Sequence, residues 1–174
     1  LALEGGVTCP NRDGTKGVGG CIFCGEEGSG DFAEKRENFA CKSDSEVFSA
    51  QIERAIQRLD GKTKCKKFIA YFQSFTSTYM PAKEFERMLA PAACDERIVA
   101  VSVATRPDCI PDDVLKILSD FNKKKKVFVE LGLQTSNDDT AKLINRGYAL
   151  SEYTDAAMRL RRENIETVTH IIIG

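Results

Sequence analysis

The feature that most constrains this chain is a repeated alternation of short β-rich runs with amphipathic helical patterns. Ser43 and Glu46 have the spacing of a capping box, ahead of Phe48, Ile52, Ile56 and Leu59 on one helical face, and Gly61 ends that helix. Lys67-Phe68-Ile69-Ala70-Tyr71-Phe72 then reads as a strand, and Pro81 opens a helix that turns Phe85, Met88 and Leu89 inward. The unit repeats. Ile98 to Val103 is a strand, and Pro111 begins a helix bearing Val114, Leu115, Leu118 and Phe121. Val127 to Leu133 is the fourth strand, and Ser136 caps a helix through Leu143 and Ile144. Ser151 starts another helix ending near Asn164, and Thr167 to Ile173 is the fifth strand. Such alternation predicts a parallel sheet, either doubly wound or curled into a barrel.

The fourth strand chooses between these. Val127, Val129, Leu131 and Leu133 share one face, and Phe128, Glu130, Gly132 and Gln134 the other. A doubly wound sheet buries both faces under apolar helices, so a face holding Glu130 and Gln134 points to a barrel interior that opens into a site. His170 falls on the face of Val168 and Ile172 and is expected in the same interior. The predicted fold is therefore α/β, a partial (β/α) barrel that stops after its fifth strand. Residues 1–174 are expected to be one domain, incomplete at both ends, since the chain opens at Leu1 and stops on the apolar run His170-Ile171-Ile172-Ile173-Gly174.

Composition removes other classes. A chain of 174 residues that is 42% hydrophobic can bury a core. Its 25 basic and 26 acidic residues leave a net charge of -1, so no global field draws it to nucleic acid or anionic membrane. No apolar run approaches the roughly 20 residues that span a bilayer, and no signal peptide opens the chain. A cytoplasmic location without a membrane partner is expected. The basic clusters Lys62 to Lys67 and Lys123 to Lys126 precede strands, opposite the carboxyl ends where parallel α/β folds place their sites. Phosphate-loop chemistry is excluded, because no Gly-x4-Gly-Lys-Ser/Thr pattern occurs.

The seven cysteines point to a centre. Cys9, Cys21 and Cys24 occupy a glycine-rich loop spanning 9–31, at the carboxyl end of the first strand, with the spacing Cys-x11-Cys-x2-Cys. Thiolates suit zinc or an iron–sulfur cluster, and a two-residue gap lets both sulfurs of a tight turn face one centre. Zinc wants a fourth ligand, for which Cys41 is the nearby candidate. A four-iron cluster on three cysteines leaves one iron open to a small molecule, and this reading is favoured over zinc. Cys41, Cys65, Cys94 and Cys109 otherwise read as small buried hydrophobes.

The loop Thr8-Cys9-Pro10-Asn11-Arg12-Asp13-Gly14-Thr15, ending in Gly19-Gly20-Cys21-Ile22-Phe23-Cys24, resembles the cluster loop of the radical S-adenosylmethionine (SAM) superfamily, and specifically its YhcC-type bacterial family. Ala70 to Tyr79, Thr105-Arg106-Pro107-Asp108-Cys109, Val129 to Thr135 and Ile144-Asn145-Arg146-Gly147-Tyr148 resemble that family in order, so the likeness covers essentially the whole chain. The resemblance implies a 4Fe-4S cluster on Cys9, Cys21 and Cys24, with SAM chelating the fourth iron. It implies reductive cleavage of SAM to methionine and a 5'-deoxyadenosyl radical that abstracts hydrogen from a substrate the sequence does not assign. An electron donor such as a flavodoxin or ferredoxin is implied as partner.

By the same resemblance Phe23 lies by the adenine, and Gln134 and Arg146 resemble a pair of the oxygen-independent coproporphyrinogen oxidase fold, in which the arginine grips the SAM carboxylate. Read alone, Arg146 is a cation at a helix C-terminus. Glu130 is expected to contact SAM or substrate or to pair with a cation, and Gln73 is a candidate for the SAM amino group. His170 reads more readily as a satisfied core residue than as a ligand contact. The chain departs from the superfamily where Gln73-Ser74-Phe75 replaces a Gly-Gly-Glu-like motif, and from the elongator acetyltransferase domain where Ala104 replaces a glutamate. Likeness to that domain makes tRNA-directed modification the substrate alternative, beside a small molecule. The alternative of another class is a structural zinc module without catalysis.

Overall fold

The computed structural model describes residues 1–26, 28, 30, 32–33, 38 and 43–173. Five parallel strands form one sheet: β1 (Ala2–Leu3), β2 (Phe68–Phe72), β3 (Ile98–Thr105), β4 (Lys126–Gln134) and β5 (Glu166–Ile171). Between them run α1 (Asp44–Leu59), α2 (Ala82–Cys94), α3 (Asp112–Asn122), α4 (Asp138–Leu143) and α5 (Leu150–Arg162). The strand order is β1-β2-β3-β4-β5, with no reversal. Right-handed crossovers that always step in one direction place every helix on the same face, which is the winding of a barrel rather than of a doubly wound sheet. The sheet is an unclosed arc, a partial (β/α) barrel.

Packing follows the alternation. On the helix side Ala70, Val101 and Val127 lie in register, as do Phe72, Val103 and Val129, and all six are buried with α1, α2 and α3 over them. On the inner side Tyr71, Ser102 and Phe128 are in register, and Ala104, Glu130 and Val168 form the next row. Helix starts also follow the local chemistry. The Glu46 carboxylate accepts the Ser43 backbone N–H at 2.9 Å and its hydroxyl at 2.6 Å, closing the capping box of α1.

Some boundaries differ from the sequence pattern. Asn137, not Ser136, caps α4, because its Oδ1 accepts from the backbone N–H groups of both Asp139 and Thr140 at 2.9 Å. The α5 helix starts at Leu150, where the backbone N–H donates to Asp138 Oδ1 at 2.9 Å, so the cap comes from a residue 12 positions upstream. The buried face of α1 also includes Gln51, whose amide exchanges hydrogen bonds of 2.8 and 3.1 Å with the Glu4 backbone and ties the helix to the segment after β1.

Candidate functional site

The cysteine loop is built by its own backbone. The N–H groups of Arg12 and Asp13 donate to the Cys9 carbonyl at 2.8 and 3.2 Å, Asp13 and Val18 form an antiparallel bridge, and the Cys24 N–H donates to the Cys21 carbonyl at 3.0 Å. The two-residue gap is thus a tight turn, as its spacing predicts. Arg12 then clamps the turn, donating to the carbonyls of Cys24 and Gly25 at 2.8 and 2.6 Å while its guanidinium lies 5.4 Å from the Phe75 ring centre. Gly28 completes the contact. At φ +56 a Cβ there would stand 2.4 Å from the Phe75 ring, so only glycine lets the loop lie this close to the segment after β2.

This docking brings Cys9, Cys21 and Cys24 to one wall of a cavity of about 190 Å³ at the carboxyl ends of the strands. Phe23, Gln73, Glu130, Gln134 and His170 line the same cavity, so of the candidate site residues above all but Arg146, and Cys41 outside the described residues, are gathered there. Tyr71, Thr76, Arg106 and Tyr148 also line it. Tyr71 was legible by alternation with Gln73, whereas Tyr148 reaches the cavity from the loop after α4 and carries no periodic signal.

Glu130 is the polar centre of the inner face. Its carboxylate accepts the Ser102 hydroxyl and lies 2.7 Å from His170 Nε2, and the side chain is 15% exposed. Burial, with the hydrogen bond and charge of Glu130, pushes the Tyr71 phenol above its ordinary value. His170 therefore faces the interior and is held by a carboxylate. Gln134 ends β4 at a register shift with φ +62, a left-handed backbone at a non-glycine residue. The preceding Gly132 leaves the room this needs, since a Cβ there would meet Gln134 Nε2 at 3.0 Å and the Tyr148 hydroxyl at 3.2 Å.

Arg146 is the residue the structure places elsewhere. It is fully buried and does not line the cavity. Nε donates to the Tyr148 carbonyl at 3.1 Å, Nη1 to those of Leu133 and Thr135 at 2.6 Å each, and Nη2 to the Asp138 carboxylate and the Tyr148 carbonyl at 3.2 and 2.8 Å. A guanidinium has five N–H donors, and all are spent on the protein. Through these contacts Arg146 braces the end of β4. Its position beyond a helix end hid this, because its acceptors, the carbonyls of Leu133, Thr135 and Tyr148 and the Asp138 carboxylate, meet only in the folded chain.

Arg106 is the second buried arginine. It holds Asp108 through two hydrogen bonds of 2.9 Å, and Lys16 of the cysteine loop adds a third at 2.6 Å. Burial opposes ionisation of Asp108, but these cations outweigh it and hold the carboxyl below its ordinary value. Burial pushes the Cys21 thiol up, against the Asn11 amide and the Arg106 charge. Burial and then Asp108 push Cys109 up to about 12, which leaves it a protonated bystander at neutral pH. Cys65 and Cys94 are exposed and are not the buried hydrophobes expected, whereas Cys109 is buried. Cys41 lies outside the described residues.

The donor set bears on which centre fits. A structural zinc ion takes four ligands, with each sulfur at about 2.3 Å, and the candidate for the fourth, Cys41, lies outside the described residues. Three thiols lining one cavity fit the donor set of a four-iron cluster, with one cysteine on each of three irons. A larger cavity of about 630 Å³ is lined by the cysteine loop, the segments after β2 and β3, and α5, but it lacks the three thiols, and its cations Lys16 and Arg159 are already paired with carboxylates.

A parallel arc with three cysteines at the carboxyl end of its first strand defines a class, and the chain belongs to the radical SAM superfamily, which it matches over residues 7–174. The whole chain is 41% identical to the uncharacterized protein YtqA of Bacillus subtilis, covering 52% of that protein, and 35% identical to protein YhcC of Escherichia coli K12, covering 53% of it. The chain thus spans about half the length of the curated relatives it matches. In three dimensions it resembles the cobalamin-dependent SAM radical enzyme OxsB, solved with aqua-cobalamin and SAM bound, with a TM-score of 0.65 at 13% identity over 98% of this chain and 23% of that one. Among the described residues no helix is long and apolar enough to cross a membrane.

Proposed function

We propose that Cys9, Cys21 and Cys24 hold a 4Fe-4S cluster and that SAM occupies the adjoining cavity, making the full-length protein a radical SAM enzyme. The observation that carries this reading is the meeting of three loop thiols with Glu130, Gln134 and His170 in one cavity of a superfamily barrel. When bound, the cluster and SAM supply one-electron chemistry, reductive cleavage of SAM to methionine and a 5'-deoxyadenosyl radical that abstracts hydrogen from the substrate. The residues of the chain bind, orient and exclude water. Glu130 and Gln134 in the cavity lining contact SAM, and Gln73 supports its amino group from just beyond β2. Phe23, 43% exposed beside Cys24, offers an apolar plane for the adenine. The single electron comes from a small protein donor such as a flavodoxin or ferredoxin.

The test is anaerobic reconstitution of the full-length protein with iron and sulfide. Broad visible absorption with iron and sulfide in cluster stoichiometry, and a spectrum that changes on adding SAM, is the expected result. Stoichiometric zinc, lost in a Cys41→Ala variant, would replace it with the structural zinc reading. Turnover with deuterium-labelled candidate substrates then assigns the substrate: label moving from tRNA into 5'-deoxyadenosine identifies nucleic-acid modification, and label moving from a metabolite identifies small-molecule chemistry.

A further inference from the structure

Asn11 is 2% exposed, an unusual burial for the amide of a loop residue. Its Nδ2 donates to the Asn145 backbone carbonyl at 2.6 Å, and because a carbonyl only accepts, this contact settles which end of the amide is nitrogen. Nδ2 also donates to Cys21 Sγ at 3.6 Å, so both amide hydrogens are used. The amide is boxed in. A Cβ on Gly17 would stand 2.3 Å from Asn11 Oδ1, and one on Gly147, whose φ is +78, would stand 2.9 Å from it.

The segment that receives Asn11 is itself stitched to the cysteine loop. Asn145 Nδ2 donates to the Gly20 carbonyl at 2.7 Å, and the Ile22 N–H donates to the Ile144 carbonyl at 3.1 Å. Arg106 holds the following carbonyls, those of Arg146 and Gly147, at 3.1 and 3.2 Å. Residues 144–147 therefore act as a template against which the loop around Cys21 is set, and Asn11 is the side chain that joins template to sulfur.

We propose that Asn11 is a positioning residue whose amide donates an N–H···S hydrogen bond to Cys21, orienting that ligand and raising the reduction potential of the cluster it holds. The proposal rests on the cluster reading above. A donor aimed at a ligating sulfur withdraws negative charge from it and so favours the reduced, more negative cluster. Arg12 of the same loop bonds to backbone carbonyls, whereas Asn11 touches the sulfur.

The midpoint potential of the reconstituted full-length protein, measured without SAM by spectroscopic redox titration, tests this. Asn11→Ala is expected to load iron and sulfide to the wild-type content and to show a lower potential. Gly147→Ala, which pushes Asn11 away without replacing it, is expected to lower the potential in the same direction. Asn145→Ala removes the brace to Gly20 but keeps the N–H···S contact, and is expected to keep the wild-type potential. A loaded Asn11→Ala protein with the wild-type potential, or an equal fall in Asn145→Ala, overturns the proposal. If Asn11→Ala does not load, Gly147→Ala decides by the same criterion, and failure of both to load assigns Asn11 a purely structural role. A wild-type protein that takes up no cluster overturns the underlying reading instead, so the two failures are distinguishable.

Discussion

Arg146 and Glu130 show how much a single residue's role depends on its acceptors. All five donors of Arg146 face protein oxygens, so Arg146→Lys leaves several buried carbonyls unpaired and is expected to cost about 2–4 kcal/mol of stability. Urea unfolding of the cofactor-free full-length protein checks this, since a residue serving only SAM would leave that stability unchanged. Glu130 is expected to behave in the opposite way. Its carboxylate is held by Ser102 and His170 at the cavity wall, so Glu130→Gln keeps the shape and is expected to weaken SAM binding about tenfold, or about 1.4 kcal/mol, with cluster content unchanged. Equilibrium dialysis of SAM against the reconstituted variant measures it.

At the scale of elements, the strands and helices were legible because their period is local. The faces of β4 and the inward residues of α2 and α3 stand where alternation and helical spacing place them. Caps made by distant residues were not legible: Asp138 caps α5 from across a loop, and no spacing rule announces it. The α1 capping box was legible, and Ser43→Ala is expected to cost about 1 kcal/mol, read as a lower urea midpoint. Acid sensitivity belongs to the link between β3 and the cysteine loop. Arg106 and Lys16 lower the Asp108 pKa in the folded state, so the stabilisation is complete above the unfolded value of about 3.9 and is lost as pH falls through the lower folded value. Stability measured from pH 7 downward is expected to fall in this acid range, and Asp108→Asn is expected to be less stable near neutrality and to show a shallower acid limb.

At the scale of the whole molecule, the arc leaves β5 paired, among the described residues, on one side only, by β4. Ile171, Ile172 and Ile173 beside that edge are 58%, 51% and 90% exposed. An unpaired apolar edge templates further strands, so residues 1–174 expressed alone are expected to self-associate with rising concentration in light scattering. By itself the sequence determined the α/β alternation, the polar inner face of β4 and the three thiols, because periodicity and ligand spacing are properties of neighbouring residues. Only the tertiary structure decided that Arg146 braces the end of β4, that Glu130 joins Ser102 and His170, and that Asn11 reaches Cys21 while docked on Asn145. Each of these depends on which carbonyls, carboxylates and sulfurs the closed loops bring within about 3–4 Å, and no one-dimensional spacing encodes that distance.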